Sequence, residues 1–412
     1  MVRPLIQLSL GLLLVAFSGL LIRADEEELR KKALSLNNIT GEKAILGKIG
    51  ELRKDKSGLK ALLGVAATMA KEKDQPFNYT GAFILARAAQ LIKEYDAAET
   101  LYKVCVAEAI KLKSGNKISQ VLEGVIELYA AKKNYADAIA ACQEFLDLKG
   151  DKDLERIKPF VMERMIELMA RDKNYDEALK LTEKLIEADE GGWYFVRLKA
   201  DVLRQSGKLE DAVKTYEEVL EKLKESKVTD ETKDRYADQC RYVLSNIYVD
   251  LNKIDKSVEE LEGLIKRRPD NSTFYNDLGY VLADHDMKFD EAEKLVRKAI
   301  DLDRDQRKKW LDEGLISKDE DKDNAAYLDS LAWVMFKKKN YPEAKKLLLE
   351  SVKGEEGQHV EIYDHLGDVH MVLGEKSDAV KTWQKALKLE VLSRRDESRK
   401  GEIKKKIEQA EK

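Results

Sequence analysis

The stretch IYDHLGDVHMVLGEKSDAVKTWQKAL, residues 362–387, decides how the chain is read. Two earlier stretches spell nearly the same pattern: FYNDLGYVLAD…FDEAEKLVRKAI at 274–300 and AYLDSLAWVMFKKKNYPEAKKLLLESV at 326–352. Each is a pair of amphipathic helices, with apolar residues at helical spacing on either side of a short polar turn. A unit of about 35 residues repeated in this way means a stacked helical array rather than a globule. Small side chains stand where two helices must cross, so Gly367 is expected to face Ala379 and Ala332 to face Ala344. Bulky residues one turn away fill the remaining space. Each hairpin therefore carries an apolar stripe that only a neighbouring hairpin can bury.

The copy at 362–387 reads Tyr363-x2-Leu366-Gly367-x2-His370, then Ala379-x3-Trp383. The copy at 274–300 matches with Tyr275, Leu278, Gly279, Leu282, Ala292 and Val296; the one at 326–352 matches with Leu328, Leu331, Ala332, Met335, Ala344 and Leu348. This resembles the tetratricopeptide repeat (TPR) pattern. The three copies, about a third of the chain, are most similar to TPR modules of exported bacterial envelope proteins. The resemblance implies an all-α, right-handed superhelical solenoid of about eight antiparallel hairpins. Its concave groove would be lined by the first helix of each hairpin, and its work would be holding other proteins.

Working outward, a short tag marks the start of each second helix: an aromatic or aliphatic residue, two further residues, then a small one. It recurs as Tyr95…Ala98, Tyr135…Ala138, Tyr175…Ala178, Leu209…Ala212, Ile254…Ser257, Phe289…Ala292, Tyr341…Ala344 and Lys376…Ala379. The spacings between the small residues are 40, 40, 34, 45, 35, 52 and 35. The 40-residue steps need longer helices or loops, such as the loop at 149–152. In the 45-residue step the polar stretch 222–234 is expected to lengthen both flanking helices. The 52-residue step holds a charged insertion, 301–324, in which Asp319–Asp323 imitates the start of a calcium loop but lacks the glycine and closing glutamate such a loop needs. The first three tagged units carry Ala86, Ile126 and Ile166 where the later ones carry glycine or a small residue. Isoleucine at a close crossing should splay a hairpin.

The chain thus divides into an N-terminal segment 1–24, a helical cap 25–75, irregular TPR-like repeats 76–270, TPR repeats 271–389 and a polar C-terminal helix 390–412 that caps the last hairpin. Residues 1–24 place Arg3 before an apolar run from Leu5 to Ile22, followed by the acidic switch Asp25–Glu28. That is the pattern of a secretory signal peptide, or of an uncleaved anchor at the lower edge of spanning length. Either way the body is expected across a membrane, in the bacterial periplasm or cell envelope.

The 74 Lys+Arg against 78 Asp+Glu give a net charge of −4, spread along helix faces, with no basic aromatic-interleaved block to engage nucleic acid. Cys105, Cys142 and Cys240 lie far apart without a CxxC and read as buried hydrophobes. Gly191-Gly192 and Gly354…Gly357 follow no strand, so neither is a phosphate loop. Asp284-His285-Asp286 and Asp364-His365 are acid–histidine neighbours expected at helix ends or polar faces. No catalytic set, metal cluster or cofactor site emerges, so the reading is a non-enzymatic binding scaffold. The alternative is a membrane-tethered structural or assembly factor of the envelope.

Periodicity names the groove face. It carries Glu361, Asp364, Asp368 and Met371 in the last unit, then Asp329, Trp333 and Phe336, then Thr273, Asn276 and Tyr280, then Tyr242 and Asn246. Upstream it carries Tyr194, Arg197, Asp201 and Arg204, and before them Glu163 and Glu167. Some TPR proteins clamp a peptide carboxylate with cations here, but Asp364 and Asp368 stand where those cations would be needed. The partner-binding candidates are Tyr242, Asn246, Asn276, Tyr280, Asp329, Trp333, Asp364 and Asp368. Their carboxylates and aromatic faces fit a basic, Arg-containing extended segment of a protein or peptide, with no small-molecule substrate. Asp364 and Asp368 are expected to be exposed.

Overall fold

A computed structural model describes residues 25–148, 152–391 and 393–412; the segment 1–24 and the loop at 149–151 lie outside the described residues. All the described regular structure is helical. No described helix is long and apolar enough to cross a membrane. The chain divides into two compact units, one ending at Lys208 and one beginning at Leu209.

The first unit begins with α1 (25–35), α2 (Glu42–Leu52) and α3 (Lys56–Met69). Of these, α2 lies against α4 (Tyr79–Leu91) and α3 against α5 (Tyr95–Lys111). Asn37 pins the cap, donating to the Pro76 carbonyl at 3.0 Å and accepting from the Asn78 backbone N–H at 3.2 Å. Antiparallel hairpins follow: α4 with α5, α6 (Gly115–Ala131) with α7 (Tyr135–Leu146), and α8 (Lys152–Arg171) with α9 (Tyr175–Ala188). The unit closes with α10 (Trp193–Ser206).

The second unit opens with α11 (Leu209–Glu225). Its hairpins are α12 (Asp230–Asp250) with α13 (Ile254–Arg267), α14 (Ser272–Asp284) with α15 (Phe289–Asp312), α16 (Ala325–Lys337) with α17 (Tyr341–Ser351), and α18 (Val360–Val372) with α19 (Lys376–Lys388). The last element is α20 (Arg394–Glu411).

All eight tags begin helices, and the small residue of every tag is fully buried. Only a methyl or hydroxymethyl group fits at these crossings, and the residue one turn later packs on its neighbour. The turn before each tag needs a left-handed residue. It is glycine at Gly207 and Gly374, but lysine at Lys93, Lys133, Lys173 and Lys339. The polar stretch at 222–234 does what its composition predicts: α11 and α12 run to 17 and 21 residues on either side of it.

One crossing differs from expectation. A Cβ on Gly367 would lie 2.3 Å from the Trp383 indole, so this glycine opposes Trp383 rather than Ala379. A Cβ on Gly279 would lie 2.6 Å from Val296 and 2.8 Å from the Ala292 carbonyl. The glycine accommodates the bulky second-helix residue, one turn beyond the small one. The backbones of α6 and α7, and of α8 and α9, run close over a shorter stretch than those of α4 and α5; Ile166 is buried, whereas Ile126 is half-buried and Gly124 is the buried residue beside it.

The charged insertion 301–324 extends one helix and folds back on it. Its first half continues α15, which reaches 24 residues. Its second half folds back so that Asp323 takes Arg304 at 2.8 Å and Arg307 at 2.8 Å, while Arg307 also pairs with Asp303 and Asp321. Of the acids that imitate a calcium loop, Asp321 and Asp323 are thus spent on guanidinium groups, and Glu320 accepts from the Ser317 backbone N–H and hydroxyl.

Candidate functional site

The first helices α12, α14, α16 and α18 present their polar face on one side of the second unit. Local capping sets each register. Asn271 accepts from the Thr273 N–H at 3.0 Å to start α14, Asn324 accepts from Ala326 at 2.9 Å and Tyr327 at 3.2 Å to start α16, and the His359 side chain starts α18. The face curves inward. Tyr280 on α14 donates to Glu361 on α18 at 2.7 Å, meeting it across the side chains of α16 that lie between.

The candidate residues meet on this face in a connected polar and aromatic network. Tyr242 donates to Asp277 at 2.7 Å, and the Asn276 amide donates to the same carboxylate at 3.1 Å. Asn246 donates to the Tyr242 carbonyl at 2.9 Å. Trp333 donates to Asp284 at 2.9 Å and is stacked between Phe336 (centroids 4.9 Å apart) and His365 (4.1 Å). Asp329 holds His365 Nδ1 at 2.9 Å. Asn276 is buried, with its Oδ1 left without a partner.

The exposure expected of the acids is corrected. Asp364 is 1% exposed and Asp368 half-buried, because α20 covers them. Arg399 donates to Glu361 at 2.5 Å and to Asp364 at 3.2 Å. Lys406 donates to Asp364 at 2.8 Å and Asp368 at 2.7 Å. At the other end of α20, Arg395 reaches Asp250 at 2.7 Å and the Asn246 carbonyl at 3.1 Å. The aromatics are corrected too: Tyr280, Trp333 and Phe336 are half-buried by stacking and hydrogen bonding rather than standing free.

Burial and charge shift the titrating groups. Burial alone would raise Glu361, but Arg399, His365 and Tyr280 outweigh it and hold its carboxyl below the usual range. Asp368 is raised by burial and by repulsion from Asp364, against the pull of Lys406. Asp277 is raised by burial, which its hydrogen bonds from Tyr242 and Asn276 offset only in part. His365 is raised: burial disfavours its cation, but Asp329 more than compensates.

In the first unit the upstream candidates also meet. Tyr194 donates to Glu163 at 2.7 Å, Arg197 pairs with Asp201 at 2.8 Å and lies 5.3 Å from the Tyr194 ring, and Glu167 pairs with Arg164 at 2.7 Å. Arg204 sits in the last turn of α10 on the same helix.

Cys105 and Cys142 are buried and free, and burial pushes the Cys142 thiol up to about 12. His370, Glu375 and Asp378 bring three ligand atoms within 4.8 Å, yet Glu375 is already held by Lys345 at 2.7 Å. Sequence reasoning missed Asp277, His365, Arg399 and Lys406 as site residues. The first two stand beside chosen positions, and only contacts distant in sequence bring in the last two.

Residues 119–233 match the family model of a tetratricopeptide repeat-like domain, and residues 242–307 match that of a tetratricopeptide repeat. These stretches carry tetratricopeptide repeats. A TPR repeat-containing protein of Pseudomonas aeruginosa is 27% identical over 127 residues, which is 31% of this chain and 18% of that one. The chain therefore spans less than a fifth of that relative's length. Among solved structures, a tetratricopeptide repeat protein from Parabacteroides merdae is 13% identical, with 69% of this chain and 99% of that one covered at a TM-score of 0.46. PilW, a type IV pilus biogenesis factor, is 18% identical (53% and 88% covered, TM-score 0.37). MamA is 18% identical (49% and 96% covered, TM-score 0.32).

Proposed function

We propose that this chain is a non-enzymatic scaffold that holds a basic segment of another protein on the inward face of its second unit. One observation carries the reading. Carboxylates (Asp250, Asp277, Asp329, Asp364) alternate with aromatic side chains (Tyr242, Tyr280, Trp333) along a single face made by four successive first helices. Asp277 is the open acceptor of the set, since its hydrogen-bond donors are a phenol and an amide. A lysine or arginine brought there gains a charge-assisted hydrogen bond and a neighbouring ring face. Export belongs to the same reading and is supported by Arg3, the apolar run Leu5–Ile22 and the acidic stretch after it.

Photo-crosslinking in the native cells tests the reading. A crosslinker at Asn246 or Met371, on the inward face, should capture a defined protein through a basic segment. The same group at Glu259, exposed on α13, should not. Equal capture from Glu259 would contradict the assignment. Mass analysis of the N-terminus tests export: loss of the leading segment is expected, and intact Met1 in a soluble cytosolic fraction would contradict it.

A further inference from the structure

The inward face already holds one basic segment, and it belongs to the same chain. α20 places Arg395, Arg399 and Lys406 on carboxylates of α12 and α18. Among its described residues, Ile403, Ile407 and Ala410 are the buried apolar side chains, beside Tyr363 and Trp383 at the end of the last hairpin, and Lys400 donates to the Leu387 carbonyl at 2.9 Å. The helix is self-starting, with a capping box in which Ser393 and Asp396 satisfy each other's backbone N–H groups. It is tied to α19 by a short connection between Leu389 and Ser393. A segment held by charge on a preformed acidic face, with few apolar anchors and its own cap, is built like a bound helical peptide.

We propose that α20 is an internal ligand of the groove, and that the partner segment is a basic amphipathic helix which competes with α20 for the same seat. The proposal rests on the scaffold reading above and changes the expected ligand from an extended segment to a helix. The seat defines the register of that helix: a cation, a second cation four residues on, then isoleucine, lysine and isoleucine as in Arg395-x3-Arg399-x3-Ile403-x2-Lys406-Ile407. These positions recur at three, four and seven residues, so they share one helical face. The acids of the seat select cations, and Val360 and Trp383 beside them select aliphatic side chains. A partner with this pattern would take over ion pairs already formed, which makes affinity dependent on how firmly α20 sits.

The probe is a fluorescent peptide of residues 393–412 added to the full chain. Full chain carrying Arg399→Ala with Lys406→Ala should bind it at least tenfold more tightly than the unaltered chain, because its own α20 is weakened while the seat is intact. Adding Asp364→Asn should remove that gain. Equal affinity for both chains, or binding by neither, would overturn the proposal and leave α20 a fixed cap. The unaltered chain supplies a readout independent of any variant's folding: saturating peptide should speed amide exchange in α20 at least tenfold and leave α18 protected. Unchanged exchange in α20 would overturn the proposal. Capture at Asn246 without displacement of α20 would sink this inference and keep the scaffold reading; displacement without any captured partner would do the reverse.

Discussion

In the unit ending at Lys208, one tight glycine lies between hairpins. A Cβ on Gly124 of α6 would lie 2.5 Å from Tyr102 on the preceding α5. In the unit beginning at Leu209, two tight glycines lie inside hairpins, Gly279 against Val296 and Gly367 against Trp383, and a third, Gly357, lies between α17 and α18 against the Ser351 carbonyl. Within the first unit, α4 and α5 pack closely, while α6–α7 and α8–α9 run together over less of their length. A cleft of about 470 Å³ lies between α5, α6 and α7, lined by Val106, Leu128 and Phe145. The second unit's hairpins close, and their first helices hold half-buried polar side chains in fixed registers. Hydrogen bonds and ring stacking between successive first helices order the face on which the acids and aromatics stand, and a face ordered in advance loses less entropy on binding.

The largest expected effect breaks that face. Asp364→Lys leaves Arg399 and Lys406 without their shared carboxylate and puts three cations together. Breaking a buried pair in this way costs about 3–5 kcal/mol. Urea unfolding followed by hydrogen exchange should show the loss in α18–α20 while α4–α9 stay protected, since a repeat array loosens locally. Next come the crossings. Gly367→Ala, Gly124→Ala and Ala379→Leu should each cost about 1–3 kcal/mol by overpacking, with faster exchange confined to their own hairpin neighbourhood. Uniform loss along the chain would contradict the array.

A smaller effect follows pH. His365 is raised above its ordinary value by Asp329. The stability it contributes is present below the ordinary histidine range and lost as pH rises through its folded pKa. The melting temperature should therefore fall as pH rises from about 6.5 through the raised folded pKa, and His365→Gln should flatten that slope. The smallest effect lies in the turns. Lys93 and Lys339 have φ of 65° and 64°, where a side chain costs energy that glycine avoids. Lys93→Gly and Lys339→Gly should each change stability by no more than about 1 kcal/mol, upward, in denaturant melts.

The hairpins were legible because packing leaves a periodic trace: a buried small residue every 34–52 positions and a bulky one a turn later. The groove face was legible for the same reason, and Tyr242, Asn276, Tyr280, Asp329 and Trp333 do share it. What covers the face was not legible. Arg399 meets Asp364 across 35 residues, and Tyr280 meets Glu361 across 81, with no periodic sign at either end. A helix as polar as α20 reads as a solvated cap, and its three buried apolar residues cannot reveal that its cations turn inward. The glycine partners escaped for a related reason. Spacing alone places Gly367 opposite the small residue, and only the crossing geometry moves it one turn to Trp383.

The most direct test of the inward face as a site that takes a basic helix by charge is hydrogen exchange of the unaltered chain across a salt series. The ion pairs of Arg395, Arg399 and Lys406 are partly open to solvent, so added salt should weaken them. Exchange in α20 should quicken steeply as salt rises, while α18, α19 and the hairpins before Lys208 keep their rates. An α20 that exchanges as slowly as α18 at every salt concentration would show a helix held by apolar packing and would contradict the account.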